Sequence, residues 1–503
     1  LKEENAMKVI LLIHRYLAIG VGMLMVLWCL SGFVMMYQSM PALSTEQRLR
    51  GLEPLDFSQC CDLSTLPLQD EAPAPAFRVE MLLGDPVFRP GGGGRLAQAL
   101  RATNLRTGQP IEELPEAAVL QVAQQFGAGN GIQGTARALG LIDMDQWTLQ
   151  TARRNAPTYK FTFDDAAGTE IYVSGASGEV FLATTRRERV LAWFGAIPHW
   201  LYPTILRQDG ALWTQVVIWT SIAGSFLAAT GMYVGISRIR RNRQGALASP
   251  FRGWWYWHHL SGLLFGVLAL TWVFSGLMTM NPWGALSGGR NDPAYREAFV
   301  GTPTWGEAKQ FFAAAGQLDD TGYKQIQPAP FAGSLYLLAQ RADGSQDRFD
   351  AAALPAALRD EQVAAAVAQL PNPVREFTLL QEEDSYYYGH KRNADLPVWR
   401  VLMDDADATR LYINKDTGAL RAVGSTGRWS RWIRTGLHDL DFPVLRIRPV
   451  WYIVVSLLLA GVTSLCMIGT WLAIKRVRMD FRLYRARLRR HFREAAMQQQ
   501  AEQ

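Results

Sequence analysis

The stretch HRYLAIGVGMLMVLWCLSG, residues 14–32, is matched in pattern by HHLSGLLFGVLALTWVFSG, residues 258–276. His14 maps onto His258 at an offset of 244 positions, and Trp28, Ser31 and Gly32 map onto Trp272, Ser275 and Gly276 at the same offset. Working outward, residues 159–180 align without a gap onto 399–420 at an offset of 240. They share Asp164 with Asp404, an Ile-Tyr-Val with a Leu-Tyr-Ile, and Gly178 with Gly418. His199 then meets His438 at an offset of 239, and Trp213 meets Trp451 at 238. Three kinds of element recur in one order, so the chain reads as an internal duplication. Four of its seven histidines occupy equivalent places, two per half. In a duplicated membrane protein, such symmetric pairs are most simply read as holding metal centres between the halves.

The chain has 503 residues, 49% of them hydrophobic, and a mean hydropathy of −0.03, a mixture of membrane segments and soluble loops. Four uncharged apolar stretches, 16–37, 211–236, 254–280 and 450–474, are each long enough to cross a hydrocarbon core. The first has no small-residue cleavage site and is itself copied in the second half, so it reads as an uncleaved anchor. Basic residues set the orientation. Arg238, Arg240, Arg241, Arg243 and Arg252 lie between the second and third spans, and Lys475, Arg476, Arg478, Arg482, Arg485 and further arginines follow the fourth. Both basic segments and both termini are expected in the cytoplasm of a bacterial inner membrane, with the two large loops in the periplasm. The sequence pI of 9.1 then reports topology and contact with membrane lipid, not nucleic acid. The basic tail reads as a lipid-facing anchor without a catalytic role.

The expected organisation is a cytoplasmic N-terminus and first span (1–38), a periplasmic domain (39–188), an interfacial helix and second span (189–237) and a basic loop (238–253). A third span (254–281), a second periplasmic domain (282–426), an interfacial helix and fourth span (427–475) and a basic tail (476–503) complete it. Loops of roughly 150 residues are too long for connectors and should fold as domains. In each, a helix (near 115–125 and 360–370) precedes alternating runs, TYKFTFDD and EIYVSGASGEVFLA in the first, VWRVLMDD and TRLYINKDTGALRAV in the second. These read as short antiparallel strands, with SGASGE a turn between two of them. Cys29 and Cys466 lie within spans, and Cys60 and Cys61 are adjacent. With neither CxxC nor CxxCH, any cofactor is held without that covalent attachment.

Several of these strings resemble one family, the PepSY-associated transmembrane proteins. They are HRYLAIGVG…LWCLSG at His14, IPHWLYPTILR at His199, WYWHHLSGLLFG…TWVFSGLMTMNPW at His258, GLHDLDFP at His438, and LPVWRV with TRLYINKDTG in the second loop. The resemblance runs from about Val9 to Arg478. It implies four transmembrane helices in two pseudo-repeats with two periplasmic α+β PepSY-like domains. It further implies an inner-membrane oxidoreductase that uses b-type haem to reduce iron in ferric siderophores. Longer relatives carry a flavin and nicotinamide reductase domain, which the residues after the fourth span do not supply.

The residues make their own case for haem. Ionisable groups at a span are costly and tend to be functional, and neutral imidazole ligates iron. His14 and His258 stand at the cytoplasmic starts of the first and third spans. Ala18 and Gly22 follow His14, and Gly262 and Gly266 follow His258, at four-residue steps on one helix face. Such a stripe leaves room for a flat porphyrin, or else packs helices closely. His199 and His438 precede the second and fourth spans on the outer side, after LAWFGAIPHW and RWIRTGLHDL. Arg207 and Arg446 follow Pro203 and Pro443, placed either for haem propionates or for lipid phosphate. Asp439 or Asp441 is the expected acceptor for the second N–H of His438. His259 points about 100° away from His258 and shares no axial site with it. The 17 tryptophans read as interfacial belts.

Outside the membrane, SYYYGHKRNADLP (385–397) gathers Tyr387, His390 and Arg392 into the expected substrate-facing patch. No hydrolase triad order, HExxH, P-loop or dinucleotide fingerprint is present. The expected function is electron transfer through two haems b, His14/His258 inside and His199/His438 outside. The donor is quinol or a cytoplasmic flavoprotein, and the acceptor is a ferric siderophore or another periplasmic oxidant. The alternatives are a non-enzymatic PepSY binding or regulatory protein and, below it, a transporter, whose interrupted mid-membrane helices are missing here.

Overall fold

The computed structural model describes residues 2–56, 63, 66, 68–91, 101–287, 293–317, 322–389 and 394–501. They divide into two compact units: Leu1–Ser39, Leu191–Ala285 and Trp432–Gln503 form one, Met40–Val190 and Leu286–Arg431 the other.

The first unit is helical. Lys2–Met35, Gly210–Ser237, Trp254–Thr279 and Arg448–Ala501 carry the four apolar stretches, here the first to fourth spans, and each is long and apolar enough to cross a membrane. The second span starts where the Asp209 side chain accepts the Leu212 N–H at 2.9 Å, satisfying one orphan amide of the first turn. The first span packs on the second and fourth, and so does the third, which leaves first and third as one diagonal of a four-helix arrangement. Met25, Leu227, Ala269 and Val462 fill its centre, while Leu264 and Leu457 are 69% and 68% exposed, as lipid-facing side chains must be. Close approach rests on glycine. A Cβ on Gly22 would lie 2.6 Å from Thr470 Oγ1, and one on Gly266 would lie 3.0 Å from Met232 Cγ. The fourth helix does not stop at the end of its apolar stretch but runs unbroken to Ala501.

The second unit is built of sheets. From the first loop come β1 (Phe77–Leu82), β2 (Asp85–Pro90), β3 (Thr103–Asn104), a helix at Glu116–Gly129, and the antiparallel sheet β4 (Ala136–Ile142), β5 (Thr158–Phe163), β6 (Glu170–Ser174), β7 (Val180–Thr184). In the helical unit, β8 (Arg240–Arg241) and β9 (Leu247–Ala248) form a short hairpin between the second and third spans. The second loop repeats the plan with β10 (Tyr323–Pro328), β11 (Leu337–Arg341), β12 (Gln346–Phe349), a helix at Asp360–Ala368, and the sheet β13 (Val374–Leu380), β14 (Val398–Met403), β15 (Arg410–Asn414), β16 (Leu420–Val423).

Both expected helices and the expected hairpins are present, and the matched sequence tokens explain the turns. Asp165 accepts from the Thr169 amide at 2.7 Å, and Asp405 accepts from the Thr409 amide at 2.8 Å, closing the β5–β6 and β14–β15 connections. Gly178 and Gly418 take the positive φ values, 68° and 75°, of the following turns. Tyr172 and Tyr412 are buried at matching places in β6 and β15 and donate at 2.7 Å to Asp145 and Asp384.

No local signal along the chain announces that the two loops share a sheet, yet they do. β1 pairs with β10, Val79 opposite Ile326 and Glu80 opposite Gln325, which makes one six-stranded sheet in the order β12-β11-β10-β1-β2-β3. Phe77, Val79, Phe88, Trp305, Phe311 and Ile326 form its core. A charge cluster lies at this seam. Glu80, 1% exposed, is bound by Arg89, by Arg48 at 2.8 Å and by Arg78 at 3.5 Å, and Arg48 also donates to Gln325. Burial pushes the Glu80 carboxyl up, but Arg89, Arg78 and Arg48 together hold it below the ordinary glutamate range.

Candidate histidine centres of the helical unit

The outer pair comes together. His199 ends the short helix Ala196–His199, which packs on the first span, and His438 lies in Leu437–Asp439, which packs on the third. The two imidazole ring centres are 6.1 Å apart with planes at 61°. Each ring is fixed by its Nδ1. His199 Nδ1 lies 3.2 Å from Ser31 Oγ and 3.1 Å from the Trp28 carbonyl. His438 Nδ1 lies 3.2 Å from Ser275 Oγ and 3.2 Å from the Trp272 carbonyl. The Ser-Gly and Trp tokens of the opening repeat are therefore the seats of these histidines. Gly32 and Gly276 leave room beside them, since a Cβ there would meet His199 Cε1 at 3.9 Å and His438 Cε1 at 3.3 Å.

The carbonyl contact fixes the tautomer, because a carbonyl only accepts: Nδ1 carries the proton and Nε2 keeps its lone pair. Among the described residues neither Nε2 has a hydrogen-bond partner.

The turns carrying these histidines are also pinned by tryptophan. Trp213 Nε1 donates to the Trp200 carbonyl at 2.9 Å, and Trp451 Nε1 donates to the Asp439 carbonyl at 2.8 Å. Each bond falls on the residue directly after the histidine. These two tryptophans, read from sequence as interfacial belt, are positioning residues, and their matching offset was the signal that singled them out.

The inner pair lies on the diagonal. His14 Nδ1 is 3.2 Å from the Leu227 carbonyl and 3.4 Å from Thr230 Oγ1. His258 Nδ1 is buried without a well-formed hydrogen bond, facing the carbonyl of Leu465, the position that matches Leu227. Each ring fits against a glycine of a neighbouring span. A Cβ on Gly231 would stand 2.7 Å from His14 Cε1, and one on Gly469 would stand 2.7 Å from His258 Cε1. Gly231 and Gly469 lie at the 238 offset of the tryptophans, the one sequence signal that could have found them. The stripe expected to make room, Gly22 and Gly266, is instead filled by Thr470 and Met232, so it packs helices. His259 braces the hairpin end of the third span, where its Nε2 donates to the Gly235 carbonyl at 2.8 Å and its Nδ1 accepts from Ser249 at 2.9 Å.

The expected supporting residues divide. Arg207 lies over the rings of Tyr202 and Trp213 at 5.1 and 4.6 Å, and its Nε is buried without a hydrogen-bond partner. Arg446 pairs with Asp441 at 3.3 Å. Neither Asp439 nor Asp441 orients the His438 ring; Ser275 and the Trp272 carbonyl do. Those two contacts turn the ring toward the third span. In the other unit, the Tyr387 hydroxyl donates to the Asp395 carbonyl at 2.9 Å and its ring stacks on Tyr412 at 5.1 Å. His390, Arg392, Cys60 and Cys61 lie outside the described residues.

The donor set of the outer pair suits a haem. Two neutral imidazoles with ring centres 6.1 Å apart, each held through Nδ1 with its Nε2 lone pair uncommitted, are donors that would hold a haem iron. Among the described residues no group of three or more His, Cys, Asp or Glu gathers as a metal site. Two histidines alone would suit a metal that brings its remaining ligands with it, as haem iron does. No protein-family model matches the chain, and a search of curated proteins finds no match to it.

Proposed function

We propose that the chain is a PepSY-associated inner-membrane protein of two pseudo-repeats. In this reading it is a di-haem b oxidoreductase carrying electrons from quinol or a cytoplasmic flavoprotein to a periplasmic acceptor, the iron of a ferric siderophore. The observation that carries the reading is the nearness of His199 and His438, half-buried on short segments packed against the first and third spans, with both Nδ1 atoms held and both Nε2 atoms without a partner among the described residues. Haem b, when bound, supplies a one-electron couple that no side chain here provides.

The chain's own residues would do the rest. His199 and His438 would hold the outer group and His14 and His258 the inner one, all as neutral imidazoles. Ser31, Ser275 and the carbonyls of Trp28, Trp272 and Leu227 would keep the rings of His199, His438 and His14 at one tautomer and raise their basicity as ligands. Trp213 and Trp451 would hold the outer turns still, and Arg207 would meet a propionate. The apolar side chains of the four spans would exclude water, which keeps an electron carrier from side reactions. Tyr387, His390 and Arg392 belong in this reading to the surface that meets the acceptor.

Pyridine haemochrome assay of the purified protein is expected to give close to two haems b per chain, with a low-spin spectrum. A folded, colourless protein would overturn the reading and leave a non-enzymatic binding or regulatory protein in its place.

A further inference from the structure

The fourth helix continues past the apolar stretch without a break, and from Phe481 on it is neither lipid-like nor packed. Between 475 and 489 it carries seven cationic residues against one acid, Asp480. That acid is already engaged, by Arg15 of the first span at 2.9 Å and by Arg476 at 3.3 Å. From Phe481 to Arg487 every side chain is exposed. Phe481 and Tyr484, at 54% and 59% exposure, stand with Val477 and Leu488 at spacings of four, three and four residues. They form one apolar stripe edged by Arg482, Arg485 and Arg489.

Length carries the far end of this helix past the reach of lipid. At 1.5 Å per residue, Arg485 and Arg489 stand about 16 and 22 Å beyond Ile474, where the apolar stretch ends. Headgroups take up about 5–8 Å of that distance. The field of an anionic surface decays over about 8 Å more, and a tilt of about 20° hardly shortens the reach. A second copy is disfavoured by charge, since two such helices side by side would set arginine against arginine.

Resting on the electron-carrier reading above, we infer that this helical extension, Phe481 to Arg489, is a docking surface for a soluble acidic redox protein that delivers the electrons. The arginines steer the partner in and Phe481 and Tyr484 seat it, the usual division between charged rim and aromatic centre.

The test uses the full-length protein in nanodiscs of pure phosphatidylcholine and, as probe, fluorescein-labelled flavodoxin, a soluble acidic FMN protein, followed by anisotropy. The wild type is expected to bind with an affinity that falls at least tenfold between 20 and 200 mM salt. A variant with Arg482→Gln, Arg485→Gln, Arg487→Gln and Arg489→Gln should bind at least tenfold more weakly at 20 mM. A variant with Arg240→Gln, Arg241→Gln and Arg243→Gln, in the short hairpin, should stay within twofold of wild type.

Equal binding by the tail variant and the wild type overturns the inference. So does a tail that resists trypsin only in discs containing 30% phosphatidylglycerol while flavodoxin affinity ignores the substitutions; that result makes it a lipid anchor. Haem content is measured on the same samples. Colourless protein that binds flavodoxin through these arginines would sink the proposed function and leave the docking surface standing.

Discussion

At the scale of single residues, two glycines carry a sharp consequence. Gly231 and Gly469 give the rings of His14 and His258 their place, with 2.7 Å between each ring carbon and the position a methyl would occupy. Real Cβ contacts do not come so close, so Gly231→Ala or Gly469→Ala must displace the imidazole or spread the helices, at about 1–3 kcal/mol. Each is expected to lower the melting temperature and, in the haem reading, to cut inner-centre occupancy by at least half while the outer centre keeps its spectrum. Gly20, with open space at its Cβ position, is the control, and Gly20→Ala should be neutral. Wild-type melting and spectra for Gly231→Ala would mean that the glycine does not cradle the ring. The repeat made the four histidines legible in the sequence. It held Gly231 and Gly469 equally, but a glycine acquires meaning only when its neighbour across the helix interface is known.

At the scale of elements, the β1–β10 seam is held by a buried carboxylate among three arginines. Removing one partner of such a cluster leaves charge buried without compensation, which costs about 3–5 kcal/mol. Arg89, 4% exposed, would be stranded by Glu80→Gln. For a unit of this size the melting temperature should drop by about 5–10 °C at pH 7, read by tryptophan fluorescence of the detergent-solubilised protein. The carboxyl titrates below its unfolded value near 4.3. Its stabilisation is therefore complete above about pH 4.3 and is lost as pH falls through the lowered folded value. The gap between wild type and Glu80→Gln should accordingly close in acid. A gap that stayed constant down to pH 2 would mean that Glu80 acts by shape and not by charge. The four-stranded sheets were readable because alternation, the Asp165 and Asp405 turns and the glycines after them are local signals. The six-stranded sheet was not, because β1 and β10 are joined only through the membrane segments between them.

At the scale of the molecule, the two histidine pairs and the arginine distribution make linked claims. Reporter fusions at Gly91 and Gly344 should behave as periplasmic and one at Gln244 as cytoplasmic; a cytoplasmic signal from either large loop reverses the proposed direction of electron flow. His14→Ala or His258→Ala should remove one haem and leave the outer spectrum, and His199→Ala or His438→Ala should do the reverse. Under the proposed function, either loss should stop reduction of an outer ferric chelate by an inner donor, because that reading sets the two centres in series. If His438→Ala left both haems and His390→Ala removed one, the pairing by internal repeat would be wrong.

By itself the sequence determined what hydrophobicity and repetition encode: four apolar spans, their basic flanks, the small strands and turns of the loops, and four histidines in matched places. These follow from transfer free energy and backbone preference, which act along the chain. Only the tertiary structure decided what faces what. It set His199 against His438, turned each ring to a serine and a carbonyl of the opposite segment, and gave the tryptophans a structural bond. It filled one glycine stripe with side chains and another with imidazoles, and it joined the two loops through β1 and β10. Such pairings depend on side-chain volume and direction across distances of hundreds of residues, and no local period records them.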